Sequence, residues 1–195
     1  MLAIGSISDL YAITKGGAII ADNNYQNADG NMNNAANWSD GVPTSSDVIR
    51  WFSGDKTITT GMDQSLVLTV HMQIGPEFTG QIGAIADPLR YGSCTACMVN
   101  NIKCKGINLR LGTCADLVVR NTPNNSYGLY LANDIWTNVM AFRGLGLRIG
   151  ASATVTTMDV GYKDSPAGDV AVQIDSGATM ATVHAWGGVT SCEAA

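Results

Sequence analysis

From Val48 onward, apolar and polar residues alternate in short runs punctuated by Gly and Asn. Alternation of period two places successive side chains on opposite faces and predicts strands. Such runs occur at Val48-Ile49-Arg50-Trp51-Phe52, Lys56-Thr57-Ile58-Thr59, Leu66 to Ile74, and Gly80-Gln81-Ile82-Gly83. No stretch of helical length carries the 3.6-residue period of an amphipathic helix.

A short phrase recurs in the second half: Leu89-Arg90-Tyr91-Gly92, Leu109-Arg110-Leu111-Gly112, Leu147-Arg148-Ile149-Gly150 and, more loosely, Val172-Gln173-Ile174-Asp175. The first spacing is 109 − 89 = 20 residues. A fixed period of this size marks a solenoid, in which each repeat is one coil stacked on the next. With the first residues of the four copies in one column, the even offsets are apolar or small. They read Tyr91, Leu111, Ile149, Ile174 at +2, Thr95, Ala115, Ala153, Ala178 at +6, and Cys97, Leu117, Val155, Met180 at +8. These are expected to face inward. The +1 column, Arg90, Arg110, Arg148 and Gln173, is expected to face out. The segment 128–132 matches weakly. The longer step, 172 − 147 = 25, leaves room for an inserted loop at 161–168.

The expected fold is all-β: a short right-handed parallel β-helix (β-solenoid) with three short strands per turn and an N-terminal arm. Roughly seven coils fit between Val48 and Gly188, a column ~30 Å tall. A β-sandwich or jelly roll is the alternative; it shares the alternation but not the Arg column. The expected organisation is an arm and polar linker over 1–37 and the solenoid over 38–195. The arm carries Leu2, Ile4, Ile7, Leu10, Tyr11, Ile13, Ile19 and Ile20. Residues 21–37 are almost wholly polar and turn-forming. Trp38 is placed to cover the open first rung, and Pro43 to fix the chain's approach.

Composition narrows the function. Only 14% of the residues are charged, against about 25% in an average domain, and the net charge is −5. No basic cluster exists to neutralise phosphates, so no nucleic-acid partner is expected. No apolar run reaches the ~20 residues of a membrane span, so no membrane partner is expected. The N-terminus has no basic stretch before an apolar core and does not read as a signal peptide.

Five cysteines are present. Cys94-Thr95-Ala96-Cys97 is a C-x-x-C without the second pair or nearby His that a zinc site needs. Cys94 and Cys114 share the +5 offset and are expected to stack on neighbouring coils, as small side chains at a corner or, if oxidised, as a bridge. Cys97 reads as core. The Arg column is open to two readings: pairing with nearby carboxylates such as Asp87, Asp116 or Asp159, or docking to an acidic partner. Asp116, Asp134, Asp159, Asp164, Asp169 and Asp175 share no repeat column, and Glu is confined to Glu77 and Glu193. No acid/base pair, G-x-S-x-G or phosphate-cradling loop can be assigned. The expectation is therefore no catalytic residue, cofactor or metal. Trp38, Trp51, Trp136 and Trp186 are scattered; they read as core or end caps, or else as a sugar-stacking platform.

The stretch Asn37-Trp38-Ser39-Asp40-Gly41-Val42-Pro43-Thr44-Ser45-Ser46-Asp47, with Gly61-Met62-Asp63-Gln64-Ser65 and Phe78-Thr79-Gly80-Gln81-Ile82-Gly83, resembles tailed-phage virion proteins of the head decoration or head-fibre type. The resemblance covers about residues 37–90; W-x-x-G-x-P entries also open bacterial adhesin β-helices. It implies a non-enzymatic capsid accessory on the exterior of a virion, assembled in a host cytoplasm. Its partners would be the major capsid protein and further copies of itself, as a homotrimer. A carbohydrate-binding or carbohydrate-cleaving spike or adhesin β-helix is the alternative.

Overall fold

The computed structural model describes residues 22–122, 128–132, 134–161, 170–186 and 189–192. Leu2, Ile4, Ile7, Leu10, Tyr11, Ile13, Ile19 and Ile20 lie outside them. Fifteen strands follow one another: β1 (Asp22–Asn24), β2 (Val48–Gly54), β3 (Thr57–Ile58), β4 (Asp63–Phe78), β5 (Gln81–Ile82), β6 (Leu89–Asn100), β7 (Gly106–Leu111), β8 (Thr113–Asn121), β9 (Leu129–Leu131), β10 (Ile135–Ala141), β11 (Gly144–Ile149), β12 (Thr154–Val160), β13 (Val170–Ile174), β14 (Thr179–Ala185) and β15 (Val189–Cys192). Every pairing between them is parallel. One face stacks β1, β2, β4, β6, β8, β10, β12 and β14. The other stacks β3, β5, β7, β9, β11, β13 and β15. The molecule is a parallel β-solenoid, as the repeat predicts, and not a sandwich.

Register shows the coils directly. Ile49, Met72, Cys97, Leu117, Val139, Met158 and Val183 are successive partners, six steps up the column. The shortest step is 158 − 139 = 19 residues, and the longest, 25, occurs twice, as 97 − 72 and as 183 − 158. The added length of the last step falls between β12 and β13, where the sequence leaves room for a loop. At ~4.8 Å per rung the column is about 30 Å tall.

The register corrects the aligned columns. Leu89 pairs with Leu109, Leu109 with Leu131, Leu131 with Ile149, and Ile149 with Ile174. The weakly matching segment 128–132 is thus a full coil, and the third copy of the phrase sits two residues out of phase with the second. An even shift preserves parity, so the same residues still face in. Arg148, however, stands over Tyr130, which stands over Asn108, and not over Arg110.

The strands of the first face are bent. In β6, Leu89 and Tyr91 are buried before the corner and Cys94, Cys97 and Val99 after it, while Thr95 is exposed. The same order recurs in β8, with Cys114, Leu117 and Val119 buried and Ala115 exposed. The bend breaks strict alternation, so Thr95 and Ala115 of the +6 column face out, while Ala153 is buried and Ala178 packs against the core as expected. It also places Cys94 and Cys114 in the core rather than at a corner.

Residues 22–37 are not the linker that their polarity suggests. β1 adds a rung below β2, and Tyr25, Met32 and Trp38 are buried under the first coil. Trp38 meets Trp51 edge-on at 5.6 Å and Tyr25 at 5.7 Å, and Tyr25 meets Phe78 at 6.0 Å. The polar residues satisfy one another around this layer. Asp29 accepts from Asn31 N, Asn34 Nδ2 and Asn37 Nδ2 at 2.6–2.8 Å, and Trp38 Nε1 donates to Met32 O. Buried Asn side chains that replace missing backbone partners explain an Asn-rich segment that is nonetheless folded.

Candidate functional site

Each coil turns from the second face to the first at a corner. Between β7 and β8 the corner is Gly112 alone; in β6 it is Gly92. A Cβ on Gly112 would lie 2.2 Å from Gly92 O, and one on Gly92 would lie 2.3 Å from Ser65 O. Backbone packs directly on backbone here, which only glycine permits. With no side chains at the corner, a groove of about 350 Å³ opens along it. Asp63, Ser65, Arg90, Tyr91, Gly92, Arg110, Gly112 and Asp134 line the groove.

The charged residues come from four successive coils. Asp63 pairs in register with Arg90, and Arg90 with Arg110. Asp134 enters from the turn between β9 and β10. The contacts are long for charge-assisted hydrogen bonds, which run ≈ 2.7–2.9 Å. Arg90 lies 4.0 Å from Asp63 and 3.6 Å from Asp87, and Arg110 Nε lies 3.5 Å from Asp134 Oδ1. Arg148 differs: its Nε reaches both oxygens of Asp175, at 2.8 and 3.0 Å, and its guanidinium lies over the Tyr130 ring. It is a structural pair outside the groove.

Three groove residues carry unsatisfied atoms: Asp134, Arg90 and Tyr91, whose buried hydroxyl has no partner. Asp134 has a side chain only 7% exposed, and its Oδ2 has no hydrogen-bond partner. Burial pushes its carboxyl up to about 6, although Arg110 pulls the other way. Arg90 Nε is buried and also has no partner. Asp63 is held below the usual carboxylate range, chiefly by its hydrogen bonds from Ser65. The groove thus offers donors and acceptors side by side, with an arginine donor, a carboxylate acceptor and the Tyr91 hydroxyl unmet. Its rim is mixed: Leu68, Ser93, Thr113 and Ile135 lie one residue beyond the glycines, two apolar and two hydroxylated, with Leu68 54% and Ile135 51% exposed.

The other sequence candidates fall elsewhere. Arg90 and Arg110 stack as expected and Arg148 does not join them; their partners are Asp63, Asp87 and Asp134, while Asp116 bonds Asn138 and Asp159 bonds His184. Cys94 and Cys114 are register partners and buried free thiols. Their hydrogen bond to each other, then burial, pushes the Cys114 thiol far up, and burial does the same to Cys97. Protonated thiols of this kind are inert core. Among the described residues no cluster of His, Cys, Asp or Glu is placed to hold a metal ion. Trp136 is fully buried and cannot stack on a sugar; Trp186 is exposed, 6.2 Å from His184.

Sequence reasoning named Arg90 and Arg110 but passed over Asp134 as one of several scattered carboxylates. The signal that could have found it is its place at a coil corner, one turn above Arg110. No protein-family model matches this chain, and no curated protein or solved structure matches it.

Proposed function

We propose that the chain is a non-enzymatic structural protein of a virus particle, decorating or cementing the head of a tailed phage by binding the major capsid protein. The observation that carries this reading is the polarity of the solenoid. Its first coil is closed by the Tyr25–Trp38–Trp51 layer. At the other end, among the described residues, no strand pairs with the outer edge of β14, and Val183 and Trp186 are 40% and 58% exposed. A rigid column sealed at one end and presenting a strand edge among its described residues at the other suits a module that stands against something, another copy or a shell. The resemblance over 37–90 supplies the particle, and the apolar sequence 2–20 supplies an attachment segment ahead of the sealed end.

Quantitative mass spectrometry of purified particles tests the reading. Hundreds of copies per particle are expected; a few copies would move the protein to a tail or fibre, and absence would sink the proposal. A chain lacking residues 1–20 is expected to keep its β-rich circular dichroism and lose particle binding. Association of copies, as a trimer, is to be checked by sedimentation. A carbohydrate-binding spike is the second reading, favoured by the corner groove alone.

A further inference from the structure

We propose that the corner groove bounded by Arg90, Arg110 and Asp134 binds a neutral saccharide. The inference deepens the carbohydrate reading and does not depend on the capsid reading.

The chemistry of the lining selects the ligand. Two guanidinium groups stand in register on adjacent rungs, which alone would attract an anion. Three carboxylates answer them: Asp63 and Asp87 beside Arg90, and Asp134 beside Arg110. The charges nearly balance, so the groove has no surplus field for a phosphate or a nucleotide. What it has is alternation of hydrogen-bonding character. Arginine only donates and an ionised carboxylate only accepts. A ligand that meets both must carry groups able to do either, set close together, and hydroxyls on a ring are such groups.

The unmet atoms point the same way. Asp134 is nine-tenths buried, is met by Arg110 at 3.5 Å and by the Leu111 backbone, and lacks any donor at Oδ2. Arg90 Nε lacks an acceptor. Buried polar groups in native proteins are nearly always paired, so the missing partners come from outside the chain. A sugar hydroxyl can meet a donor and an acceptor at once, as a bridging water does. Satisfied pairs such as Arg148–Asp175 show that this chain can close an Arg–Asp contact at 2.8 Å where nothing else is to be bound.

Shape completes the argument. The volume of about 350 Å³ is at the small end of ligand clefts, far below the extent of a protein interface. Its floor is bare backbone at Gly92 and Gly112, and Leu68 and Ile135 stand exposed beside it. Polar groups for the hydroxyl edge and aliphatic groups for the C–H face are the two surfaces a sugar ring presents.

The test is saturation-transfer NMR on the full chain with glucose, galactose, mannose, rhamnose, N-acetylglucosamine and their disaccharides. Glucuronate and inorganic phosphate are the anionic comparators. At least one neutral sugar is expected to bind and the anions to bind less well or not at all. Arg110→Gln and Asp134→Asn are each expected to weaken binding about ten- to a hundred-fold, the loss of a hydrogen bond to a charged group. Leu68→Asp, at an exposed rim position that does not endanger the fold, is expected to abolish it. Arg148→Gln is expected to bind as the parent does. Circular dichroism confirms that each variant is folded. Failure of every neutral sugar, preference for phosphate or glucuronate, or binding unchanged in Leu68→Asp and Arg110→Gln overturns the proposal. None of these results alters the particle census.

Discussion

Asp134 and Asp175 are both aspartates facing an arginine, yet they are in opposite conditions. Asp175 is tightly gripped by Arg148, whereas Asp134 is buried with a long Arg110 contact and a backbone hydrogen bond from Leu111, and burial raises its carboxyl to about 6. A raised native value means that the folded state binds the proton more tightly than the unfolded chain, whose value is near 3.9. Asp134 therefore favours folding below pH ~4, and that contribution is lost as the pH rises through about 6. Arg110 is the charged group that faces it, and Asp63 stands on a rung below. Asp134→Asn removes the titration, so the variant's stability should gain on the parent's between pH 4 and 7. The gain is at most about 3 kcal/mol, two pKa steps at 1.36 each. Urea denaturation of both proteins at the two pH values measures it; parallel profiles would refute the assignment. The thiols give a second residue-scale prediction. Cys94, Cys97, Cys104 and Cys114 are buried and, where shifted, shifted upward. Of five cysteines in the chain, at most one should react with a maleimide in the native state at pH 7.5, read as a mass shift, and all five after unfolding.

At the scale of the coil, the glycine of the recurring phrase is the residue that sets the corner. Gly112→Ala places a methyl group 2.2 Å from the Gly92 carbonyl oxygen, a backbone atom that cannot rotate away. The rungs must part, at a cost on the order of 1–3 kcal/mol or more. Gly41→Ala is the comparison: its Cβ meets nothing within 4 Å, and the cost there comes from a φ of +78° alone, about 1–2 kcal/mol. Chemical denaturation should rank Gly112→Ala as the more damaging. This corner also explains what could be read beforehand. The phrase ending in Gly92 and Gly112 revealed the coil, because backbone contact tolerates no other residue. The phrase ending in Gly150 misled the alignment. Its glycine faces Tyr130 and Leu131 O, one corner geometry later, after a coil that turns without glycine. Parity survives such a slip and column identity does not, which is why the inward faces were legible and the third arginine was misplaced. The bend in β6 and β8 was invisible for a related reason: it moves a buried residue from an even to an odd offset without changing composition.

At the scale of the whole molecule, the two ends of the column are stabilised differently. The sealed end rests on one residue more than any other. Trp38 touches Tyr25 and Trp51 and donates to Met32 O, so Trp38→Ala should cost about 3–5 kcal/mol and expose the amides of β1 and β2 to hydrogen exchange first. Its sequence signal was a single Trp before a Gly-x-Pro, enough to place the cap. The polar residues 22–37 that build the cap read as linker, because asparagines folded around one aspartate look like asparagines in solvent. The far edge of the described residues makes the contrary prediction. On β14, Val183 occupies the column whose lower members, Met158 and Val139, are fully buried, yet it is 40% exposed. The edge carries Thr179, Thr182 and Val183 and no lysine or proline, the residues that commonly block edge pairing. A solenoid left in this state should associate through β14 as concentration rises. Val183→Lys puts a charge at the centre of that edge, where it can still reach solvent and so spares the fold. Sedimentation of parent and variant over a concentration series should show association in the first and a monomer in the second. A parent that stays monomeric throughout would mean that the edge is not an association surface, and the support it gives to the particle reading would be lost.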